Sequence, residues 1–179
     1  MQPISLTLEN FGPYKQTEID FSNFYAQSLF LITGKTGSGK TTIFDGMSYA
    51  LYNSTSGGLR EGREMRSNFA QVGEPTKVTF IFKQDNVTYK IEREPEQIVK
   101  KLRGEGFREQ PAEVKLTVFD EQQKEVNQLI KQREVGEFLS ELLKLNQQQF
   151  SQIVMLPQGE FRRFLGADSD SKEKVLRKL

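Results

Sequence analysis

The stretch Gly34-Lys-Thr-Gly-Ser-Gly39-Lys40-Thr41 decides the fold, because it fits the pattern G-x-x-x-x-G-K-[ST] at every fixed position. Glycines let the backbone curl so that its N–H groups point at one centre, where they can bind a compact anion. The apolar run 28–33 before it predicts a strand buried on both faces, and residues 40–52 after it predict a helix. This context indicates a phosphate-binding loop rather than a glycine-rich turn that merely begins a helix.

The residues of this loop have distinct expected roles towards ATP and Mg²⁺. The Lys40 ammonium can reach the β- and γ-phosphates, which makes it a predicted catalytic residue, and the Thr41 hydroxyl can coordinate Mg²⁺. The backbone of the loop and the first helical turn supply the remaining contacts. The predicted nucleotide-binding residues are Gly34, Lys35, Thr36, Gly37, Ser38, Gly39, Lys40, Thr41 and Thr42.

Hydrophobic patterning outlines the rest of the chain. Alternation of apolar and polar residues predicts strands at 4–8, 19–21, 78–82, 87–91 and 114–118. A hairpin is expected at Asp85-Asn86, and the polar stretches 53–75 and 94–111 are expected to be surface loops. Apolar residues at i, i+3, i+4 and i+7 within 135–142 predict an amphipathic helix.

Composition excludes several classes of site. The 179 residues contain 25 Lys plus Arg and 24 Asp plus Glu, for a net charge of +1, so any nucleic-acid contact must come from a local patch. The absence of cysteine excludes disulfides and cysteine-ligated zinc, and the absence of histidine removes the commonest general base. No apolar run reaches the ~18 residues that a membrane span needs, so we expect a cytoplasmic protein with no membrane partner.

Two further segments carry a resemblance to a known family. The opening Ile4-Ser-Leu-Thr-Leu-Glu-Asn-Phe11, with the helix 41–52, resembles the beginning of the SMC-like ATPases, which are ABC-type enzymes of DNA repair. The segment Phe150-Ser-Gln-Ile-Val-Met-Leu-Pro-Gln158-Gly-Glu-Phe161 resembles the Q-loop segment of that family. The resemblance covers nearly the whole chain, although 53–145 carries no sharp motif.

The resemblance implies an α/β fold: a P-loop NTPase, the N-terminal lobe of an ABC-type ATPase head with an antiparallel β-subdomain. Residues 1–165 would form this half-domain, and 166–179 would begin a coiled-coil helix. Gln158 matches the Q-loop glutamine, which implies contact with Mg²⁺ and the attacking water and therefore a catalytic and metal-binding role. A separate C-terminal lobe would supply the signature motif, the catalytic Glu and a switch His.

The family also implies partners. Two heads would sandwich two ATP molecules, and hydrolysis would regulate a metallophosphoesterase nuclease acting on double-stranded DNA ends at the nucleoid. One alternative is a head of an SMC or RecF-like chromosome-organising or recombination ATPase without a nuclease. A second is a self-sufficient P-loop kinase or GTPase, which would need its own Walker B strand.

Two stretches imitate motifs of such enzymes. Residues 116–121 resemble a Walker B strand, but Lys115 and Thr117 alternate with apolar residues, which is typical of a half-exposed strand ending in a hairpin. Residues 55–59 echo the signature motif but follow the P-loop helix too soon, so we interpret them as a loop.

Charged residues leave three questions open. Lys100, Lys101, Arg103 and Arg108, opposed by Glu105, give a local excess of +3 that is either solvated charge or a contact to DNA phosphates. Asp45 is either close to Mg²⁺ or, as we prefer, paired with the charge of its helix N-terminus. The resemblance places Asn10 and Lys15 near the nucleotide without assigning a contact.

Overall fold

A computed structural model of the chain describes residues 1–24, 32–57 and 60–153. Within these residues eight strands and three α-helices are present. The strands are β1 (Gln2–Phe11), β2 (Tyr14–Asp20), β3 (Lys77–Gln84), β4 (Val87–Glu94), β5 (Gln97–Lys100), β6 (Phe107–Gln110), β7 (Glu113–Phe119) and β8 (Glu125–Leu129). The helices are α1 (Lys40–Tyr52), α2 (Gln132–Leu143) and α3 (Gln147–Ile153), with 3-10 turns at Ser22–Phe24 and Gly62–Met65.

The main sheet has the strand order β2-β1-β3-β4-β7-β8, and every pair in it is antiparallel. The β3–β4 hairpin turns at Asp85 and Asn86, whose φ angles of 50° and 66° suit the left-handed turn that hairpins favour. One face of the sheet is fully buried and forms the core, because alternate residues of each strand point to the same side. Its central members are Leu6, Leu8, Phe80, Phe82, Ile91 and Leu116.

The helices cover this buried face. Helix α1 contacts β1, β3 and β4, and α2 contacts β7. Gly46 allows the close approach of α1 to β1, because a Cβ at this position would lie 2.6 Å from Cδ2 of Leu8. In α2, Val135 and Leu139 are buried, and Phe138 packs its ring against Tyr89 of β4 at 6.1 Å between centroids. The helix that begins with Lys40 is therefore anchored on the sheet along its length.

A buried arginine joins three of these elements. Arg93 of β4 is 2% exposed, and its Nε donates to the carbonyl of Ala50 near the C-terminus of α1 at 3.1 Å. Its Nη1 donates to the side chain of Gln132, the first residue of α2, at 2.6 Å. The guanidinium also lies 6.0 Å from the ring centroid of Tyr49. Burial lowers the pKa of Arg93 to about 10, and burial raises that of Tyr49 to about 12.

Several predicted elements are confirmed. Helix α1 has the predicted bounds, the strand predictions at 4–8, 78–82, 87–91 and 114–118 fall within β1, β3, β4 and β7, and α2 contains the amphipathic helix. The β7–β8 hairpin confirms that the Walker B look-alike ends in a turn, in which Asp120 N–H donates to the carbonyl of Lys124 at 3.0 Å. Lys115 is exposed as expected, but Thr117 is only 3% exposed. Strand β7 is therefore more buried than the alternation of polar and apolar residues in its sequence predicted.

Other predictions were wrong in detail. The stretch 94–111 is not one loop, because β5 and β6 form a two-stranded sheet within it. The stretch 53–75 contains the turn Gly62–Met65 and buries Met65 and Ser67 beside the end of β1. The second strand runs over Tyr14–Asp20 rather than 19–21. Helix α3 was not predicted. Most of the strand expected at 28–33 lies outside the described residues, and Ile32 and Thr33 are irregular.

Candidate nucleotide-binding site

The glycine loop closes around the Lys40 side chain. Lys40 Nζ donates hydrogen bonds to the carbonyls of Gly34 and Lys35, each at 2.8 Å, so the ammonium lies inside the curve of its own loop. Gly37 and Gly39 have φ angles of 84° and 87°, a left-handed conformation that glycine adopts without strain. The sequence thus produces a curled loop with a cation at its centre directly before a helix.

The first β-turn of the chain packs against this loop. A Cβ on Gly39 would lie 2.6 Å from the Tyr14 hydroxyl oxygen and 3.0 Å from Cγ of Pro13. Gly12, with a φ of 57°, approaches Thr42 so closely that a Cβ would lie 2.5 Å from its methyl group. The sequence alone did not predict Pro13 and Tyr14 as neighbours of the loop, because their contact depends on how β1 and β2 meet α1.

The arrangement fits a bound phosphate chain. Gly39 is the N-cap of α1 and provides no side-chain cap, so the first N–H groups of this described helix lack a side-chain acceptor. Thr41 is exposed, which leaves its hydroxyl accessible to a cation. Among the described residues, no cluster of three or more acidic side chains could hold a metal. The Thr41 hydroxyl is a ligand that magnesium could use here together with oxygens of the nucleotide.

Asp45 has a different partner from the one that we expected. Its Oδ1 accepts hydrogen bonds from the backbone N–H of Ser56, at 3.0 Å, and from the Ser56 hydroxyl. The carboxylate therefore binds the loop after α1 rather than pairing with the N-terminus of its own helix. That contact joins residues eleven positions apart, so local charge rules could not reveal it.

The other predicted site residues have different outcomes. Gln158, the proposed boundary at 165 and the coiled-coil start at 166–179 lie outside the described residues. Asn10 is 8% exposed and its side-chain amide donates to the carbonyl of Pro75 at 2.8 Å, which indicates a role in holding the β1 turn. Lys15 is exposed on β2.

The basic residues near 100 lie on a β-hairpin that forms a two-stranded sheet separate from the main sheet. Lys100 ends β5, Arg108 lies in β6, and Lys101 and Arg103 are in the connection between them. All four are exposed, and so are Leu102 and Phe107. We call this set, residues 100–108, the basic hairpin. The backbone pairing of a hairpin restricts the relative positions of its charged side chains more than a free loop would.

A surface cavity of about 520 Å³ lies away from the glycine loop, beside β3, β4 and β7. Lys77 and Glu92 in its lining form an ion pair at 2.7 Å. Burial alone would raise the pKa of Glu92. The hydrogen bonds and positive charges of Lys77 and Lys90 outweigh the effect of burial and hold this pKa below its ordinary value. Because Lys77 and Glu92 of this cavity bind each other, we assign the cavity no ligand.

Comparison with known proteins gives the family. The sequence matches the family described as an AAA domain over residues 5–179. The chain belongs to this AAA domain family. The predicted fold class, a P-loop NTPase lobe with an antiparallel sheet, is therefore confirmed. Among the helices that the structure describes, none is long and apolar enough to cross a membrane.

Curated relatives refine this assignment. The AAA domain is 44% identical over 181 residues to the C subunit of nuclease SbcCD from Lactococcus lactis subsp. lactis (strain IL1403), covering 100% of this chain and 17% of the relative. It is 43% identical over 182 residues to the protein of the same name from Staphylococcus aureus (strain MRSA252), again covering 17% of that relative. The chain thus spans about a sixth of the length of these relatives. These relatives confirm the resemblance to SMC-like repair ATPases, and their names specify it as a resemblance to SbcC.

The chain also aligns with a solved structure. It comes from work described as "Structural biochemistry of ATP-driven dimerization and DNA stimulated activation of SMC ATPases". The alignment covers 99% of this chain and 99% of that chain, at 13% sequence identity and a TM-score of 0.49.

Proposed function

We propose that this chain is the ATP-binding N-terminal half of an SbcC-type ATPase head. The observation that carries the proposal is the curled loop of residues 34–41, with Lys40 Nζ at its centre and α1 starting at Lys40. A loop of this shape supplies backbone donors, a fixed cation and a helix N-terminus to one anion. The SbcCD relatives support the assignment to a nuclease complex over a nuclease-free SMC or RecF-like ATPase.

The proposed chemistry is ATP hydrolysis assisted by Mg²⁺. Lys40 would neutralise charge on the β- and γ-phosphates, and the Thr41 hydroxyl would hold the metal. Gln158 would orient the attacking water and help to hold the metal, as its family resemblance implies. Magnesium supplies charge neutralisation, while the glycine backbone of the loop holds the phosphates in place.

Partners complete the proposal. Two copies of the head close on two ATP molecules, and the opening and closing of this dimer regulates an SbcD-like metallophosphoesterase nuclease. The substrate is double-stranded DNA, whose ends and hairpins the complex processes in double-strand-break repair and recombination. We place the protein in the cytoplasm, associated with the nucleoid. The basic hairpin supports the DNA partner, because its exposed cations match the charge of phosphates.

The test is phosphate release, measured with the chain alone and with the chain joined to its C-terminal lobe by a short coiled coil. We expect turnover only in the joined form, because the chain lacks histidine and its one strand-linked Asp-Glu pair lies in the β7–β8 turn. Lys40→Ala should remove that turnover, and Gln158→Ala should reduce turnover more than ATP affinity. Steady release by the chain alone that depends on Lys40 would contradict the half-head assignment.

A further inference from the structure

Asp45 attaches a distant loop to the P-loop helix. It stands four residues after Thr41 in α1, so the two side chains share one face of that helix. Both the N–H and the hydroxyl of Ser56 donate to the same oxygen of Asp45. A carboxylate that accepts two converging donors fixes the segment that supplies them. The position of Ser56 is thereby tied to the helix that begins with Lys40.

Helix α3 binds the same loop from the other side. Gln147 Nε2 donates to the carbonyl of Thr55 at 2.8 Å and to that of Ser56 at 3.2 Å. The Ser151 hydroxyl donates to the Ser56 carbonyl at 3.1 Å. Gln147 and Ser151 are four residues apart and therefore lie on one face of α3. Ser56 thus receives hydrogen bonds from α3 on its carbonyl and donates to Asp45 with its N–H and hydroxyl.

A second attachment holds α3 at the far end of α1. The ring of Tyr52 packs against the fully buried Phe150 at 5.4 Å between centroids, and its hydroxyl donates to the carbonyl of Leu145 at 3.1 Å. This apolar packing can keep α3 folded against α1 when the hydrogen bonds to Ser56 are removed. The Asp45–Ser56 hydrogen bonds have a separate effect, because they join α3 to a residue of α1 that is closer to the glycine loop than Tyr52 is.

We infer that Asp45 is a positioning residue for ATP hydrolysis, acting through Ser56 on helix α3. The inference rests on the proposed function. In the sequence, Gln158 follows the last residue of α3, Ile153, by five positions. The hydrogen-bond chain from Asp45 through Ser56 to Gln147 and Ser151 therefore connects the helix that carries Lys40 and Thr41 with the helix that leads to the glutamine.

The geometry distinguishes this role from an electrostatic one. Among the described residues, no Lys or Arg forms an ion pair with Asp45. Its donors are an amide N–H and a hydroxyl, which a neutral carboxamide oxygen can also accept. Asparagine should therefore replace Asp45 with little loss, whereas alanine should not. A role based on negative charge near Mg²⁺ predicts equal losses for both variants.

The experiment measures ATP affinity and turnover at saturating ATP in the complete protein together with its nuclease partner. Asp45→Ala should lower kcat about 10-fold with less than about a 3-fold change in the Kd of Mg·ATP, because positioning affects the transition state more than binding. Asp45→Asn should stay within about 2-fold of the parent in both quantities. Parent-like kcat in Asp45→Ala, or an equal loss in Asp45→Asn, would overturn the inference.

A second variant tests the chain from α3 and does not depend on Asp45→Ala folding. Ser151→Ala removes one hydrogen bond to Ser56 and should lower kcat by about 3-fold. If both residues act through Ser56, the double variant Asp45→Ala/Ser151→Ala should be no slower than Asp45→Ala alone. Multiplicative losses, or an unaffected Ser151→Ala, would contradict the coupling. Failure of the proposed function would give a different result from failure of this inference. The parent would then release no phosphate, or Lys40→Ala would release as much as the parent.

Discussion

At the scale of single residues, the glycine loop requires glycine for two reasons, a left-handed backbone and close contact with a neighbouring segment. The sequence motif does not separate these two reasons. Gly37 and Gly39 both have left-handed φ angles, but a Cβ on Gly37 would meet nothing within 4 Å. A Cβ on Gly39 would collide with Tyr14 and Pro13. The motif predicted that glycine is needed at 39, and the structure gives the reason, which is the close approach of the first β-turn.

Alanine substitutions should therefore have graded effects. Gly37→Ala should lower the free energy of unfolding by about 1 kcal/mol through backbone strain alone. Gly39→Ala should lower it by about 2–4 kcal/mol and weaken Mg·ATP binding, because it adds overpacking to strain. Gly57→Ala is the control, since its site is open and its φ is not left-handed. Urea unfolding measures all three, and equal effects of Gly37→Ala and Gly39→Ala would refute the packing argument.

At the scale of elements, Arg93 joins the C-terminal part of α1 to β4 and to the start of α2. Sequence patterning places Arg93 on the buried face of β4, at i+2 from Ile91, but a lone arginine there gives no indication of its partners. Its hydrogen bonds go to a backbone carbonyl 43 residues away and to Gln132. Such long-range contacts depend on tertiary packing, which explains why local patterns found α1 and α2 but not their connection.

Arg93→Ala should lower the free energy of unfolding by about 2–4 kcal/mol, since it leaves a cavity, removes the donor of the buried Ala50 carbonyl and breaks the hydrogen bond to Gln132. Arg133→Ala is a matched control, because Arg133 pairs with Glu137 on the exposed side of α2. That change should cost less than about 0.5 kcal/mol. Chemical unfolding of both variants provides the comparison. Similar values for the two would mean that Arg93 does not join these elements.

At the scale of the whole molecule, the sequence predicted the family and the elements with strong periodicity. It did not predict β5, β6 or α3, because short strands with polar faces and a helix rich in Gln lack a clear hydrophobic period. It predicted that Asp45 pairs with the N-terminus of its own helix or lies close to Mg²⁺, and not that it binds Ser56. Contacts between residues that are close together in the chain were therefore predictable. Contacts between residues that only folding brings together required the structure.

The basic hairpin offers a test of the DNA partner in the complete, ATP-closed protein. Neutralising Lys100, Lys101, Arg103 and Arg108 should reduce the slope of log affinity against log salt by about 0.9 for each duplex phosphate that the variant no longer binds. Lys83→Gln, Lys115→Gln and Lys124→Gln together form a control that removes charge elsewhere on the surface. An unchanged slope in the hairpin variant would leave its charges as solvated surface groups.

The most direct test of the central claim is thermal unfolding of this chain with Mg·ATP or a non-hydrolysable analogue. At ligand concentrations of about 100 times Kd, the account predicts a stabilisation of about 2.7 kcal/mol, which is roughly 5–10 °C in Tm for a domain of this size. Lys40→Ala should lose this shift, whereas Lys124→Ala, an equal change at an exposed lysine of the β7–β8 turn, should keep it. A full Mg·ATP-dependent shift in Lys40→Ala would contradict nucleotide binding at this loop.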